Sequence, residues 1–322
     1  MTDRHKPILM ENRDWRSKCP EQMDMNRLLK EEAETFPKVD GVIVDPRYVE
    51  AKRCPVCQAD ACYKLFVKHG FSYVACERCS HVYVQNQLRD GVLEELYKRS
   101  EADKANVSLQ MNAHHERYWH LVYEKYFHIM DGEAGGNRNV LDVGCGAGLF
   151  LRFLAGRGYR SPEELHGLEL NEAAAPLVSR TVAPGNFYDR VIESIDFNKQ
   201  FGQIYMWGVL EHLTDPLSVL GTCRDILSDD GRLLALIPNY DSLAIKILGV
   251  ATPTFEPRSH IQFFTRESIR ETCRRIGLRV LETFNELPVI DLMYPYVDYS
   301  EELAHAITAK EQGYYQVLVL GK

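Results

Sequence analysis

From residue 139 onward the chain alternates two hydrophobic patterns. Short apolar runs of strand length, beginning at Asn139-Val-Leu-Asp-Val143, are each followed by a stretch whose apolar positions recur every three or four residues. Strands are expected at 139–143, 165–170, about 188–192, 202–207, 232–237, 278–284 and 314–320. The last carries Val317, Leu318, Val319 and Leu320 in a row, as a strand buried on both faces does. Asp215-Pro216 opens a helix with Val219, Leu220, Cys223 and Ile226 on one face, and Ser228-Asp-Asp-Gly231 stops it. Thr265 is the N-cap of another helix, with Ile269, Cys273 and Ile276 inward and Gly277 at its end. Strand and helix in alternation predict an α/β fold built on a doubly wound, largely parallel sheet.

Upstream the pattern changes. Within 89–135, His115, Tyr118, Trp119, Val122, Tyr126 and Ile129 fall at helical spacing and form one aromatic-rich face, read mainly as core. This stretch is expected to be a helical cap, divided from the sheet domain by the linker Asp131-Gly-Glu-Ala-Gly-Gly-Asn137. Residues 1–50 are mixed in charge, with a short helix around Met23–Glu34; they form an extension that is either poorly ordered or packed on its neighbour. Segment 286–312, which holds Met293, Tyr294, Tyr296 and Tyr299, is long for a single connection and reads as a lid-like insertion. The expected division is therefore 1–50, a cysteine module at 51–88, the cap at 89–135 and the sheet domain at 136–322.

The cysteine module contains Cys54-Pro-Val-Cys57 and Cys76-Glu-Arg-Cys79. A two-residue spacing lets both thiolates of a tight turn reach one metal, and two such turns provide the tetrahedral sulfur set typical of zinc. The intervening Tyr63–Val67 and Phe71–Val74 read as short strands, so the whole is expected to be a zinc ribbon. A unit this small cannot bury an adequate core alone, and metal binding would stabilise it directly. Neither pair opens a helix in a βαβ unit, which argues against a redox role. Cys62 and His81 stand nearby as spare ligands and are read as bystanders.

After the first strand of the sheet domain, Gly144, Gly146 and Gly148 make a tight strand-to-helix turn over which a nucleotide-like ligand can lie. Asp142 stands two residues before the first of these glycines. A pyrophosphate bound on that turn would be repelled by the carboxylate, and position 149 is leucine where a dinucleotide fingerprint has its third glycine. An acidic strand end suits a ligand without phosphates and with a cationic end, such as S-adenosylmethionine (SAM). Glu169 closes the next apolar run, roughly 20 residues on, where a ribose-binding acid belongs in such a sheet.

Net charge is −8, so no global basic field points to nucleic acid or an anionic membrane. Lys52, Arg53, Lys64, Lys68 and Arg78 of the ribbon are interleaved with Glu50, Asp60 and Glu77, a mixture that reads as a solvated face. No apolar stretch approaches the ~18–20 residues of a membrane span, and residues 1–15 lack a secretory h-region. Nine cysteines without export signals indicate a reducing cytoplasm.

The segments VLDVGCGAG (140–148), GLEL (167–170), GVLEHLTDP (208–216), GRLLALIPN (231–239) and HIQFFTRESIRETCRRIGL (260–278) come in an order that resembles the class I SAM-dependent methyltransferases. Within that class they resemble the ubiquinone-biosynthesis O-methyltransferase-like group. The CPVC…CERC ribbon followed by HVYVQ is similar to the N-terminal zinc-binding part of some bacterial sugar and natural-product methyltransferases. The resemblance implies a seven-stranded Rossmann-like sheet with its last strand antiparallel. It further implies that Asp142, Gly144, Cys145 and Gly146 border the methionine part of SAM, that Glu169 accepts both ribose hydroxyls, and that Leu170 flanks the adenine. Glu193, or alternatively Asp196, would meet the adenine amino group, and Trp207 would line the adenosine pocket or fill the sheet. Gln203 departs from the usual aspartate before the fourth strand.

Methyl transfer from a sulfonium needs alignment and a group that takes a proton from the acceptor. His212, after the fourth strand, and His260, ahead of an apolar run, are the candidate bases; His114, His115, Tyr118 and Trp119 are weaker candidates to touch the ligand. The bland alternative is that Glu211-His212 is a structural helix-start pair. No Asn/Asp-Pro-Pro-aromatic run follows strand four and no Pro-Cys nucleophile motif is present, which favours an oxygen, or an activated carbon, of a small molecule. A sugar, nucleotide-linked sugar or natural-product hydroxyl is the expected acceptor, with the protein monomeric or oligomeric. RNA methylation with the ribbon as docking module, and SAM binding without turnover, are the competing readings.

Overall fold

A computed structural model describes residues 3–8, 18–132, 136–172, 174–287 and 300–322. Among the described residues a 3-10 turn at Asp3–His5 is followed by helix α1 (Glu21–Glu34) and five short strands: β1 (Val49–Ala51), β2 (Cys62–Lys68), β3 (Phe71–Cys76), β4 (Val82–Val84) and β5 (Asn86–Leu88). Three helices follow, α2 (Asp90–Arg99), α3 (Glu101–Gln110) and α4 (Ala113–Asp131). The alternating half then runs β6 (Val140–Val143), α5 (Leu149–Gly156), β7 (Leu165–Leu168), α6 (Ala175–Val178), β8 (Phe187–Tyr188), β9 (Phe201–Trp207), α7 (Pro216–Ile226) and β10 (Leu227–Pro238). It closes with α8 (Leu243–Leu248), β11 (Gln262–Phe263), α9 (Arg266–Ile276), β12 (Arg279–Glu286), α10 (Glu301–Ala309) and β13 (Tyr315–Gly321).

Seven strands form one sheet in the order β8-β7-β6-β9-β10-β13-β12. Counted along the sheet's own strands this is 3-2-1-4-5-7-6. The strands from β8 to β10 are parallel, and β13 is antiparallel to both its neighbours. The order reverses beside β6, so the crevice at the carboxyl ends of β6 and β9 is the topological switch point where ligands bind. The doubly wound sheet expected from the sequence is thus present. Its edge is shorter than expected: the run at 188–192 gives only two strand residues, and Ile192–Ser194 turns into a single 3-10 turn.

Successive residues of the central strands point to opposite faces. On one face Leu141, Val143, Ile204, Met206, Leu233 and Leu318 pack under α7 and α9. On the other Val140, Tyr205, Leu234, Val317 and Val319 pack under α5 and the aromatic side of α4, where Tyr118, Val122, Tyr126 and Met130 are buried. Helix α4 is therefore a layer of the sandwich as well as a cover for its rim. Buried Gln203 donates to Asp131 at 3.3 Å and accepts from the Tyr205 hydroxyl at 3.1 Å, tying β9 to the end of α4.

Two helix ends follow the expected chemistry. Asp215 accepts from the Ser218 N–H at 3.0 Å, and Thr265 forms a reciprocal capping box with Ser268, with Gly277 left-handed at the far end. The first residues pack on their neighbours: Cys19, Ala33 and Ile43 are buried, and Arg258 reaches from the sheet domain to Glu32 of α1 (2.7 Å) and Asp103 of α3 (2.5 Å). Met293, Tyr294, Tyr296 and Tyr299 of the lid-like segment lie outside the described residues.

The cysteine strands do not form a closed module. Strands β2, β3 and β4 make an antiparallel sheet whose fourth member is β11, contributed from nearly 180 residues further along the chain.

Candidate donor and acceptor site

The turn after β6 leaves little room for side chains. Gly144 has φ +68°, and a Cβ there would lie 2.8 Å from Val209 Cγ2; Gly146 has φ +51°, and a Cβ there would lie 2.6 Å from the Gln110 side-chain oxygen. Glu169 pins the turn from the end of β7. One of its carboxylate oxygens accepts from the Gly146 N–H and the other from the Asn171 N–H, each at 2.9 Å. Gln110, at the last position of α3, accepts from the Ala147 N–H at 2.9 Å. Only its polarity at a helix end marks Gln110 in the sequence, and nothing there ties it to residue 147.

Asp142 is buried beneath this turn, and its Oδ1 finds no hydrogen-bond partner among the described residues. Burial, with Glu169 close by, pushes its carboxyl well above the usual range. A cationic group arriving above the turn would relieve both carboxylates, so the residues present fit a ligand with a positive end. Cys145 is buried with its sulfur against Gly167, where a Cβ would come within 3.0 Å, and burial raises its thiol. Its side chain fills the space between the turn and β7. Leu170 is exposed beyond β7, and Glu193 and Asp196 are exposed beyond β8. Half-buried Trp207 ends β9 with its ring 4.9 Å from Tyr123, 5.3 Å from Phe150 and 6.2 Å from Trp119. Its indole N–H has no partner among the described residues.

The turn after β9 forms the other wall. Val209, packed against Gly144, leads into the 3-10 turn Leu210–His212. His212 and His260 stand with ring centroids 4.8 Å apart, and with Glu211 they bring three ligand-type atoms within 4.8 Å of one another. The structure thus joins two histidines that are 48 positions apart in sequence. His260 has one ring nitrogen committed to the backbone: its Nδ1 lies 2.9 Å from the Thr254 carbonyl. Burial holds both imidazoles below the ordinary histidine range, and His260 lowers His212 further. Burial thus favours the neutral form of both rings, and a neutral imidazole keeps a lone pair on one of its nitrogens. His115, in the first turn of α4, is buried and its Nε2 accepts from the Trp119 indole at 2.9 Å; the His114 backbone N–H is capped by Asn112.

Glu211 is 2% exposed, and burial pushes its carboxyl from 4.5 up to about 8. A group whose folded value is raised adds stability below its unfolded value and loses that contribution as pH rises through the folded one. Between pH 6 and 9 the melting temperature of wild type should therefore fall, and Glu211→Gln should fall less, by roughly 3–6 °C at pH 9. Parallel thermal denaturation curves for the two across that range would contradict the burial of an ionisable Glu211.

In the ribbon, Cys54, Cys57, Cys76 and Cys79 are all buried with their sulfurs within 4.8 Å of one another. Cys54 and Cys79 are 3.5 Å apart and Cys57 and Cys76 3.4 Å. Four thiols converging on one point are the donor set of a tetrahedral soft-metal site, and they fit zinc. His81 and Cys62 are not in the cluster.

A doubly wound sheet in this strand order, with an acidic glycine turn at its switch point, defines a methyl-donor-binding α/β protein. The methyltransferase-domain family model matches residues 83–283, and the chain belongs to that family, the class I SAM-dependent methyltransferases. It is 31% identical over 122 residues to a ubiquinone biosynthesis O-methyltransferase of Glaesserella parasuis, covering 34% of this chain and 50% of that protein. A tRNA U34 carboxymethyltransferase of Alteromonas mediterranea is 29% identical over 122 residues, covering 35% of this chain and 36% of that one. The matched stretch thus spans half or less of these curated relatives' length. A solved SAM-dependent methyltransferase of Archaeoglobus fulgidus aligns over 64% of this chain and 93% of its own, at 21% identity and a TM-score of 0.44.

Proposed function

We propose that the chain transfers a methyl group from SAM to a hydroxyl oxygen of a small molecule, with a structural zinc in the ribbon. The observation that carries this reading is the pair of imidazoles 4.8 Å apart, His212 ending the turn that packs against the donor loop and His260 facing it from the segment before β11. When bound, SAM supplies an activated methyl group on a sulfonium; the S–CH3 bond breaks as an O–CH3 bond forms. The chain's own residues do the rest. Asp142 and Glu169 meet the cationic and ribose parts of the donor, and the Gly144–Gly146 backbone lets it approach closely. Gln110 borders the donor through its bond to the loop, while Leu170, Trp207 and either Glu193 or Asp196 surround the adenosine. The free ring nitrogen of His212 or His260 takes the acceptor's hydroxyl proton.

Two of the relatives name chemistries at oxygen and at RNA. The small-molecule reading is favoured by the engagement of three of the ribbon's five basic side chains. Lys52 pairs with Glu50 and Arg53 with Asp60, while half-buried Lys68 donates to the Thr252 carbonyl. Such a face offers little to a phosphate backbone. Among the described residues no helix is long and apolar enough to cross a membrane. A cytoplasmic setting, where thiolates stay reduced for zinc, goes with this proposal. Sugars, nucleotide-linked sugars and natural-product alcohols are the acceptors to screen, by conversion of SAM to S-adenosylhomocysteine. Replacing the base among His212 and His260 by alanine should lower kcat by about 10²-fold with SAM affinity unchanged. Wild-type rates in both variants would remove the histidine mechanism, and SAM binding without turnover on any acceptor would favour a non-catalytic role.

A further inference from the structure

Beyond the donor loop, an unusual feature of the molecule is that a strand of the methyltransferase part completes the sheet of the cysteine ribbon. The paired stretch is only two residues long, Gln262 opposite Tyr83 and Phe263 opposite Val82. Side chains reinforce it. His81 is fully buried; its Nε2 lies 2.8 Å from the side-chain oxygen of Gln262 and its Nδ1 3.2 Å from the Ser268 hydroxyl. Gln262, also fully buried, passes the link on by donating to the Leu213 carbonyl at 3.0 Å. The Ile261 N–H donates to the Glu211 carbonyl at 2.9 Å, and the Val84 N–H donates to the Ile261 carbonyl at 3.0 Å. His81 is itself held by the metal-type knuckle, since its carbonyl accepts from the Cys76 N–H at 2.9 Å.

These bonds touch the residues that flank each imidazole. Leu213 follows His212, and Ile261 follows His260. We propose that His81 and Gln262 are positioning residues of the acceptor site, through which the cysteine ribbon sets the separation of His212 and His260. The inference rests on the reading of those two histidines as acceptor-side groups. It gives the ribbon a role in the chemistry that needs no contact with any ligand. The physical basis is the cost of an unpaired polar group in a dry site: without the imidazole, the Gln262 oxygen loses its donor and the short strand loses its strongest side-chain tie. A shift of about 1 Å in a proton-accepting group is enough to slow a transfer step by one to two orders of magnitude.

The test uses the zinc-loaded full chain. His81→Ala should lower kcat about 10-fold while changing SAM affinity less than about 2-fold and leaving zinc content as in the wild type. Amide hydrogen exchange at Ile261 and Val84 should accelerate in the same variant, a readout independent of activity. His81→Gln, which keeps a donor that can reach the Gln262 oxygen, should recover most of the rate. Gln262→Leu should reproduce the loss, and the double variant should be no worse than either single one. If His81→Ala folds poorly, Gln262→Leu with the same readouts decides. Wild-type kcat, or a loss of kcat matched by equal losses of SAM affinity or zinc, would overturn the proposal. Should His212→Ala and His260→Ala both turn over normally, it is the catalytic reading that fails. The exchange experiment then still judges the ribbon's hold on the strand, and unchanged protection at Ile261 in His81→Ala overturns it.

Discussion

Glu169→Ala is expected to weaken SAM binding by about 10²- to 10³-fold. The carboxylate closes β7 with both oxygens already engaged by backbone N–H groups, so its position beside the glycine turn is set before any ligand arrives. Two ribose hydroxyls donating to a preoriented carboxylate are charge-assisted hydrogen bonds, each contributing about 1.5–3 kcal/mol. Truncation removes both and also leaves the Gly146 N–H without its acceptor, loosening the loop that the donor lies on. Glu169→Gln keeps the shape and one acceptor oxygen, and it should bind with intermediate affinity. Isothermal titration with SAM and with S-adenosylhomocysteine provides the measurement. An unchanged dissociation constant in Glu169→Ala would mean that the donor does not cross the end of β7.

Loss of the four-sulfur site should be felt well outside the ribbon. Removing zinc with a chelator, or replacing Cys57 by serine, is expected to lower the melting temperature by about 10 °C or more and to abolish turnover. The size of the effect follows from where the cysteines sit. Cys54, Val56, Cys57, Val74, Cys76 and Cys79 belong to the same apolar cluster as Leu210, Phe264 and Ile269, so the ribbon and one face of the large sheet share a core. Withdrawing the metal leaves four close thiolates that repel one another or must take up protons in a dry space, and the strand pairing with β11 goes with them. Metal analysis alongside thermal denaturation checks this. A chelated protein with the melting temperature and activity of the zinc form would show that the cluster holds no structural metal.

Much of the fold was legible because its signals are local. Apolar runs at 139–143, 202–207 and 232–237 are strands of the central sheet, and the caps at Asp215 and Thr265 make the bonds their residue types suggest. The glycine turn, its two acids and the cysteine spacing could be read for the same reason: each requirement is met within a few residues. The strand expected at 188–192 shortened to Phe187–Tyr188 because it pairs with only one neighbour at the sheet's edge. Gln110, His81 and Gln262 carried no comparable signal, since a lone polar residue acquires meaning only from what faces it.

By itself the sequence determined the periodicities, the left-handed turn glycines and the clustering of thiols, all of which depend on backbone sterics and short-range geometry. Only the tertiary structure decided which distant residues meet. It brought His212 to His260, set Gln110 on the donor loop, and placed β11 in the ribbon's sheet. Those pairings rest on packing a shared core from segments far apart in the chain, and their energy depends on burial and direction, which a linear pattern does not encode.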